Sequence, residues 1–107
     1  MKEIMEVKER TPELIDKLLK VWESSVRATH LFLSDSEIDS IKEYVPQAMG
    51  GIAHLIIAGE SEDCPVAFMG IEDGSLEMLF IAPEERGKGL GRRLIRYGIE
   101  NYGVERL

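Results

Sequence analysis

Hydrophobic residues recur at helical spacing in two stretches of the first half of the chain. In the first, Thr11 and Pro12 form a typical helix start, and one apolar face continues to about Arg27. In the second, Ser34–Glu37 has the spacing of a capping box, and Pro46 should bend or end the helix that this box opens. The residues expected on the inner face of the second helix are Ile38, Ile41, Val45 and Met49.

Apolar runs at residues 52–58, 65–71 and 75–81 predict three β-strands, and residues 3–8 suit an earlier one. The Asp73–Gly74 pair between the last two runs is a strong hairpin signal. Antiparallel strands that are joined by tight turns and combined with helices are typical of an α+β fold, which is the predicted fold class.

The last predicted strand leads into a glycine-rich turn and a third helical pattern. Gly87, Gly89 and Gly91 occupy every second position, and hydrophobic residues then recur at helical spacing from Leu90 to Tyr102. A turn at a helix N-terminus presents backbone N–H groups, and the helix dipole there favours negative charge. Glycines also let a ligand approach the backbone closely, so the segment predicts an anion site. The alternative is a plain glycine-rich loop before a solvated basic helix face.

The charge distribution favours the anion site. The chain carries 13 Lys and Arg against 20 Asp and Glu, a formal net charge of −7, yet residues 86–96 contain no acidic residue. A basic segment on an acidic chain indicates a local site for an anionic ligand rather than a nucleic-acid-binding surface, so no nucleic-acid partner is expected. The basic residues of this segment are Arg86, Lys88, Arg92, Arg93 and Arg96.

Three common phosphate-binding motifs do not fit this segment. The dinucleotide fingerprint would require a third glycine where Arg92 or Leu94 stands. The Walker A motif requires Ser or Thr after its lysine, and here Gly89 follows Lys88. A kinase glycine-rich loop requires a second strand after the turn, whereas the pattern here is helical.

The Arg86–Gly91 segment does match the pattern Arg/Gln-x-x-Gly-x-Gly/Ala, and it follows an apolar strand that ends at Pro83. With this order of elements, residues 75–102 resemble the acyl-CoA-binding motif of the GNAT superfamily of N-acetyltransferases. The resemblance implies a mixed, mostly antiparallel sheet flanked by helices. It also implies an enzyme that transfers an acetyl group from acetyl-CoA, its cosubstrate, to a primary amine by direct attack.

The resemblance further implies where the cofactor binds. Its pyrophosphate would lie on the amides of the turn, and its pantetheine arm would pair with the backbone of the preceding strand. Arg86 would close the turn, and Lys88 or Arg92 would meet a phosphate. The implied cofactor-binding residues are Leu79, Phe80, Ile81, Arg86, Gly87, Lys88, Gly89, Leu90, Gly91 and Arg92.

Removing a proton from the acceptor ammonium requires a base, and the resemblance points to a glutamate near the fourth strand. Glu77 is the candidate for this catalytic role, and we expect it to be partly buried. The alternative is a solvent-facing strand acid, because alternation puts Glu77 on the face of Leu79 and Ile81 only if no bulge intervenes. The loop after the first helix is implied to border the acceptor pocket, so His30 and Phe32 are candidate substrate-binding residues. Alternatively, this loop only packs the helix end.

The length of the chain indicates how many domains it forms and whether the expected enzyme is complete enough for catalytic turnover. At 107 residues it suits a single domain over residues 1–107. Members of the superfamily continue further, so residues 104–107 look like the start of a fifth strand, and we expect a truncated domain with reduced or no turnover. The open edge of the fourth strand could pair with a second copy in a homodimer. One alternative is a non-catalytic acyl-CoA- or nucleotide-binding module that a partner or second copy completes, and another is an interaction domain without a ligand.

Cysteine content and hydropathy bear on the cellular compartment. Cys64 is the single cysteine, and no apolar run reaches the length of a membrane span. The first ten residues are charged and lack the apolar core of a signal peptide. We therefore expect a cytoplasmic protein with no membrane partner and no metal site. The amine acceptor, a small molecule or a peptide, stays open because one scaffold serves many acceptors.

Overall fold

The structure, a computed structural model, describes residues 2–29 and 33–107. It contains the strands β1 (Glu3–Glu6), β2 (His54–Gly59), β3 (Pro65–Glu72) and β4 (Ser75–Ile81), and the helices α1 (Pro12–Thr29), α2 (Asp35–Lys42), α3 (Val45–Gly51) and α4 (Leu90–Tyr102). A short 3-10 turn, Pro83–Glu85, lies between β4 and α4. The predicted order of strands and helices is therefore present.

The four strands form one antiparallel sheet in the order β1-β2-β3-β4. Helices α1, α2 and α3 pack on one face of the sheet, and α4 packs on the other. After α4 the chain returns to the sheet, where Arg106 forms a parallel bridge to Ser75 and accepts a 2.8 Å hydrogen bond from the Leu76 N–H. This bridge agrees with the predicted start of a fifth strand, and the architecture confirms the α+β class.

Consecutive residues of the central strands fill two hydrophobic cores, one on each face of the sheet. Leu55 and Ile57 of β2 belong to the core under α1, whereas Ile56 and Ala58 belong to the core under α4. All four side chains are fully buried. A strand that is covered on both faces has no polar side, which explains why this segment appears in the sequence as a continuous apolar run.

Both predicted helix starts are present. The Leu14 N–H donates to Thr11 Oγ1 at 3.2 Å at the start of α1. Ser34 and Glu37 form the reciprocal hydrogen bonds of a capping box at the start of α2. Local sequence patterns were sufficient here because a cap involves residues only three positions apart.

The second helical pattern, which Pro46 was predicted to bend or end, forms two helices, since α2 ends at Lys42 and α3 begins at Val45. Proline lacks an N–H but fits the first turn of a helix, so Pro46 lies in the first turn of α3 instead of bending α2. The expectation that Ile41 lies on the inner face is wrong, because this residue of α2 is 41% exposed.

Candidate active site

The turn between β4 and α4 has a backbone conformation that favours glycine. Gly87 and Gly89 both have a φ of +79°, and Gly89 is the N-cap of α4. A Cβ atom at either position would meet no heavy atom within 4 Å. The glycines therefore satisfy the geometry of the turn and leave open space beside its backbone.

The start of α4 presents backbone N–H groups that have no acceptor within the helix. The Arg93 N–H makes the first helical hydrogen bond, to the Gly89 carbonyl at 3.1 Å. The N–H groups of Leu90, Gly91 and Arg92 precede that bond. Together with the positive end of the helix dipole, they form a ready site for an anion.

An open groove of about 750 Å³ lies over this turn. Seven of the ten predicted cofactor-binding residues line it, and the other three are Leu79, Phe80 and Lys88. The predicted contribution of Leu79 and Phe80 is through their backbone, because the Phe80 ring packs into the core against Trp22 and Phe68. The groove is lined by Ile81, Glu85, Arg86, Gly87, Gly89, Leu90, Gly91, Arg92 and Ile95.

Two of the lining residues, Glu85 and Ile95, were missed by the sequence analysis. Ile95 lies one helical turn after Gly91, so helical spacing could have indicated it. The Glu85 side chain is only 11% exposed, and its carboxylate lies 3.9 Å from Lys2 Nζ and 3.8 Å from Lys88 Nζ. No sequence signal reveals this burial, since Lys2 is far from Glu85 in the chain.

The three basic side chains that were predicted to serve the cofactor differ in their surroundings. Arg86 donates hydrogen bonds from Nη2 to the Ser25 Oγ at 2.8 Å and to the Ser25 carbonyl at 3.2 Å. Lys88 is 64% exposed beside the Glu85 carboxylate. Arg92 is exposed and, among the described residues, has no carboxylate within ion-pair distance. Lys88 and Arg92 are thus placed to turn toward an anion, whereas Arg86 is held by α1.

A β-bulge in β4 changes the expected position of Glu77. Gly70 pairs with Met78 and Ile71 with Leu76, so Glu77 is the extra residue opposite β3. Leu76 packs into the core under α4 and Met78 into the core under α1, so simple alternation fails at this point. The expected partial burial of Glu77 is wrong, because the residue is exposed. Its role as a base stays a prediction.

The outer edge of β4 is open along most of its length. β4 pairs with β3 on one side, and the bridge at Ser75 is the pairing that the described residues provide on the other. From residue 77 to residue 81, no described segment pairs with that outer edge. This stretch includes residues 79–81, at whose backbone the pantetheine arm is predicted to pair.

A second polar cluster lies outside the groove and joins β1, β2 and α4. The Tyr102 hydroxyl donates to Glu6 Oε1 at 2.5 Å, and His54 Nδ1 lies 3.0 Å from Glu6 Oε2. These bonds, that of Tyr102 first, hold the pKa of the Glu6 carboxyl below its usual value. Burial and the neighbouring Glu6 carboxylate raise the pKa of the Tyr102 phenol. None of the three residues lines the groove.

Three further predictions concern the acceptor-binding residues, metal binding and membrane insertion. His30 and Phe32 lie outside the described residues. Within the described ranges, no group of three or more His, Cys, Asp or Glu residues could hold a metal ion. No described helix is both long and apolar enough to cross a membrane.

Comparison with known proteins identifies relatives of the chain. A sequence model of the acetyltransferase (GNAT) family matches residues 18–106. The peptidyl-lysine N-acetyltransferase YjaB of Salmonella typhimurium is 36% identical over 84 residues, which cover 78% of this chain and 57% of that protein. The chain thus spans little more than half the length of this curated relative.

Solved structures share the fold. The apo form of YjaB from Escherichia coli has a TM-score of 0.80 at 30% identity, over 94% of this chain and 65% of YjaB. A GNAT family acetyltransferase from Brucella melitensis, in complex with acetyl-CoA, has a TM-score of 0.64 at 18% identity, over 94% of this chain and 67% of that one. At such low identity the second likeness shows the fold alone. Together with the family match, these structures confirm the predicted resemblance to the GNAT superfamily.

Proposed function

Because the chain belongs to the acetyltransferase (GNAT) family, we propose that it binds acetyl-CoA over the turn between β4 and α4 and serves acetyl transfer to a primary amine. One observation carries this proposal: the groove at the start of α4 combines backbone N–H groups that have no acceptor within the helix with glycines that face open space. A diphosphate needs several donors and close backbone approach, and this turn offers both.

The proposed binding mode assigns each part of the cofactor to a feature of the turn or of β4. The diphosphate accepts hydrogen bonds from amides between Gly87 and Arg92, and the side chains of Lys88 and Arg92 add charge. The pantetheine arm lies along the open edge of β4 and pairs with the backbone of residues 79–81. The thioester then lies beside the bulge, near Glu77.

The proposed reaction is direct attack of the amine on the thioester. The amine nitrogen forms a bond to the carbonyl carbon, the carbon–sulfur bond breaks, and the CoA sulfur leaves as a thiolate. The new amide nitrogen releases its extra proton to water, and the thiolate takes up a proton from water. The attacking ammonium must first lose a proton, and we assign this step to the exposed carboxylate of Glu77, directly or through water. A strand bulge next to a reacting centre is a common way to redirect a side chain.

The names of the relatives suggest the acceptor. YjaB is a peptidyl-lysine N-acetyltransferase, so a lysine side chain in a peptide is the acceptor that we propose. The net charge of −7 favours the approach of a cationic acceptor. We further propose that residues 1–107 form one domain and that the protein acts in the cytoplasm.

The open edge of β4 favours a second candidate function. An unpaired edge is a template for another strand, from a partner or from a second copy in a homodimer. In that case the chain is a non-catalytic acyl-CoA-binding module, or a domain with weak turnover that needs a partner strand to complete the pantetheine slot.

Calorimetry and a thiol-release assay test the proposal together. We expect acetyl-CoA and CoA to bind and ATP not to bind, because β4 offers a slot for pantetheine that ATP does not fill. Release of CoA thiol with a lysine-containing peptide supports the enzyme, and binding without release supports the module. Failure of acetyl-CoA and CoA to bind would reject both.

Glu77→Gln tests the assignment of the base. We expect the rate of thiol release to fall about a hundredfold with unchanged CoA affinity, since the amide cannot accept the proton. The matched control is Glu100→Gln, which removes another exposed carboxylate, from α4. Equal rates in the two variants would remove Glu77 from the mechanism.

A further inference from the structure

Arg86 opens the glycine-rich motif, but its guanidinium is bound to α1. Nη2 donates to both oxygens of Ser25, the hydroxyl at 2.8 Å and the carbonyl at 3.2 Å. The two residues are 61 positions apart in the chain. Since the donor is charged, each bond is stronger than one between neutral groups.

Ser25 is an unusual residue for its position. It is 5% exposed and is the buried polar residue among the described side chains. A buried hydroxyl is retained at low energy only when its hydrogen bonds are satisfied, and the Arg86 guanidinium supplies one of them. The contact thus connects the interior of the helical layer to the cofactor turn.

The segment that follows Arg86 has little packing of its own. Gly87, Lys88 and Gly89 are exposed, and the positions where the two glycines would carry a Cβ atom face open space. Before Arg86, the 3-10 turn is closed by hydrogen bonds from Glu85 to Ala82 and from Arg86 to Pro83. Among the contacts that the described residues provide, the Arg86 side chain is therefore the last tertiary attachment of the turn before α4 begins.

We propose that Ser25 is a positioning residue for the cofactor turn and that it acts through Arg86. In this protein the arginine of the motif fastens the turn to α1 and does not serve as a phosphate ligand. The inference rests on the proposed binding of CoA in the groove. A turn that is held in its binding geometry loses less conformational freedom when the diphosphate arrives, which raises affinity without adding a contact.

Ser25→Ala tests the proposal with Ser24→Ala as its control. Ser24 is the preceding residue of the same helix and is exposed, so its substitution changes no contact of Arg86. We expect Ser25→Ala to weaken CoA binding about tenfold in calorimetry and Ser24→Ala to leave it unchanged. The salt dependence of binding should be the same in both, because neither substitution removes a charge.

A double-mutant cycle separates this role from a general loss of stability. If Ser25 acts through Arg86, then Ser25→Ala has no further effect on CoA affinity in an Arg86→Ala background. A further tenfold loss in that background would overturn the proposal, as would equal affinities of the Ser24→Ala and Ser25→Ala proteins. Thermal unfolding of each variant identifies any that is not folded.

Backbone dynamics of the protein without ligand test the role of Ser25 separately from the proposed binding of CoA. We expect the backbone order parameters of residues 87–89, from nitrogen-15 relaxation, to be lower in Ser25→Ala than in the wild type and in Ser24→Ala. Unchanged order parameters would overturn the positioning role even if CoA binds. If CoA fails to bind the wild type, the proposed function fails, and lower order parameters would still support the attachment of the turn.

Discussion

At the scale of single residues, Glu85 stands out because it is a carboxylate in a groove suited to an anion. Its side chain is largely buried and lies between the ammonium groups of Lys2 and Lys88. A negative charge there opposes a bound diphosphate, and it also holds Lys88 near the turn. The net effect on CoA affinity depends on whether the repulsion of the diphosphate or the retention of Lys88 is larger. The Glu85 carboxylate lies 3.8 Å from Lys88 Nζ, which is too long for a strong hydrogen bond, so the retention is weak.

We therefore predict that Glu85→Gln strengthens CoA binding about threefold at low salt, and that the gain shrinks at high salt as the charge is screened. Glu84→Gln is the matched control, since it removes the same charge from an adjacent exposed residue that does not line the groove. Calorimetry at two salt concentrations measures both. Weaker binding of the Glu85 variant would mean that holding Lys88 matters more than repulsion.

At the scale of elements, α4 has a left-handed glycine at each end. Gly89 has a φ of +79° and Gly103 a φ of +63°, and a Cβ at either would meet nothing within 4 Å. Both positions therefore lie in the left-handed region, and a side chain at either would face open space. They differ in location, because Gly89 lines the groove and Gly103 does not.

This pair gives a matched prediction. Gly89→Ala and Gly103→Ala should each lower the free energy of unfolding by about 1–2 kcal/mol, the cost of a left-handed alanine. Only Gly89→Ala should also weaken CoA binding, by tenfold or more, since its methyl group occupies the space beside the turn amides. Thermal unfolding and calorimetry measure the two effects, and equal CoA affinities would remove Gly89 from the site.

At the scale of the whole molecule, the contact of Tyr102 and His54 with Glu6 joins three elements that are distant in the sequence. The pKa of Glu6 is lowered in the folded protein, chiefly by the hydrogen bond from Tyr102. A lowered carboxyl pKa stabilises the fold above the usual carboxyl range, and the stabilisation is lost as the pH falls through the lowered pKa.

Tyr102→Phe should therefore have a lower melting temperature than the wild type at pH 7, and the difference should shrink as the pH falls below about 4. Tyr44→Phe is the control, because Tyr44 is 68% exposed. Melting temperatures from pH 7 to pH 3 measure the effect. A difference that stays constant over this range would show that the Glu6 charge is not involved.

The sequence was informative wherever the signal was local. The helix caps, the Asp73–Gly74 hairpin with its two positive φ angles, and the order of strand, turn and helix all depend on residues a few positions apart. The family resemblance came from the same kind of signal. Seven of the ten predicted cofactor-binding residues line one groove because a turn and the helix that follows it are local structures.

What the sequence did not predict depends on tertiary contacts. The bulge at Glu77 arises from the pairing of β4 with β3, and strand alternation alone gives no sign of it. The contact of Glu85 with Lys2 and the contact of Arg86 with Ser25 each join segments that are far apart in the chain. Spacing along the sequence carries no information about such contacts.

The central claim is that the backbone amides at the start of α4 bind the diphosphate of CoA. Titration of the nitrogen-15-labelled chain with acetyl-CoA, followed by amide chemical shifts, tests it most directly. We expect saturable shifts that are largest for residues 87–92, with smaller ones along residues 77–81 of β4. Saturable shifts confined to another surface, or no saturable shifts at all, would contradict the account.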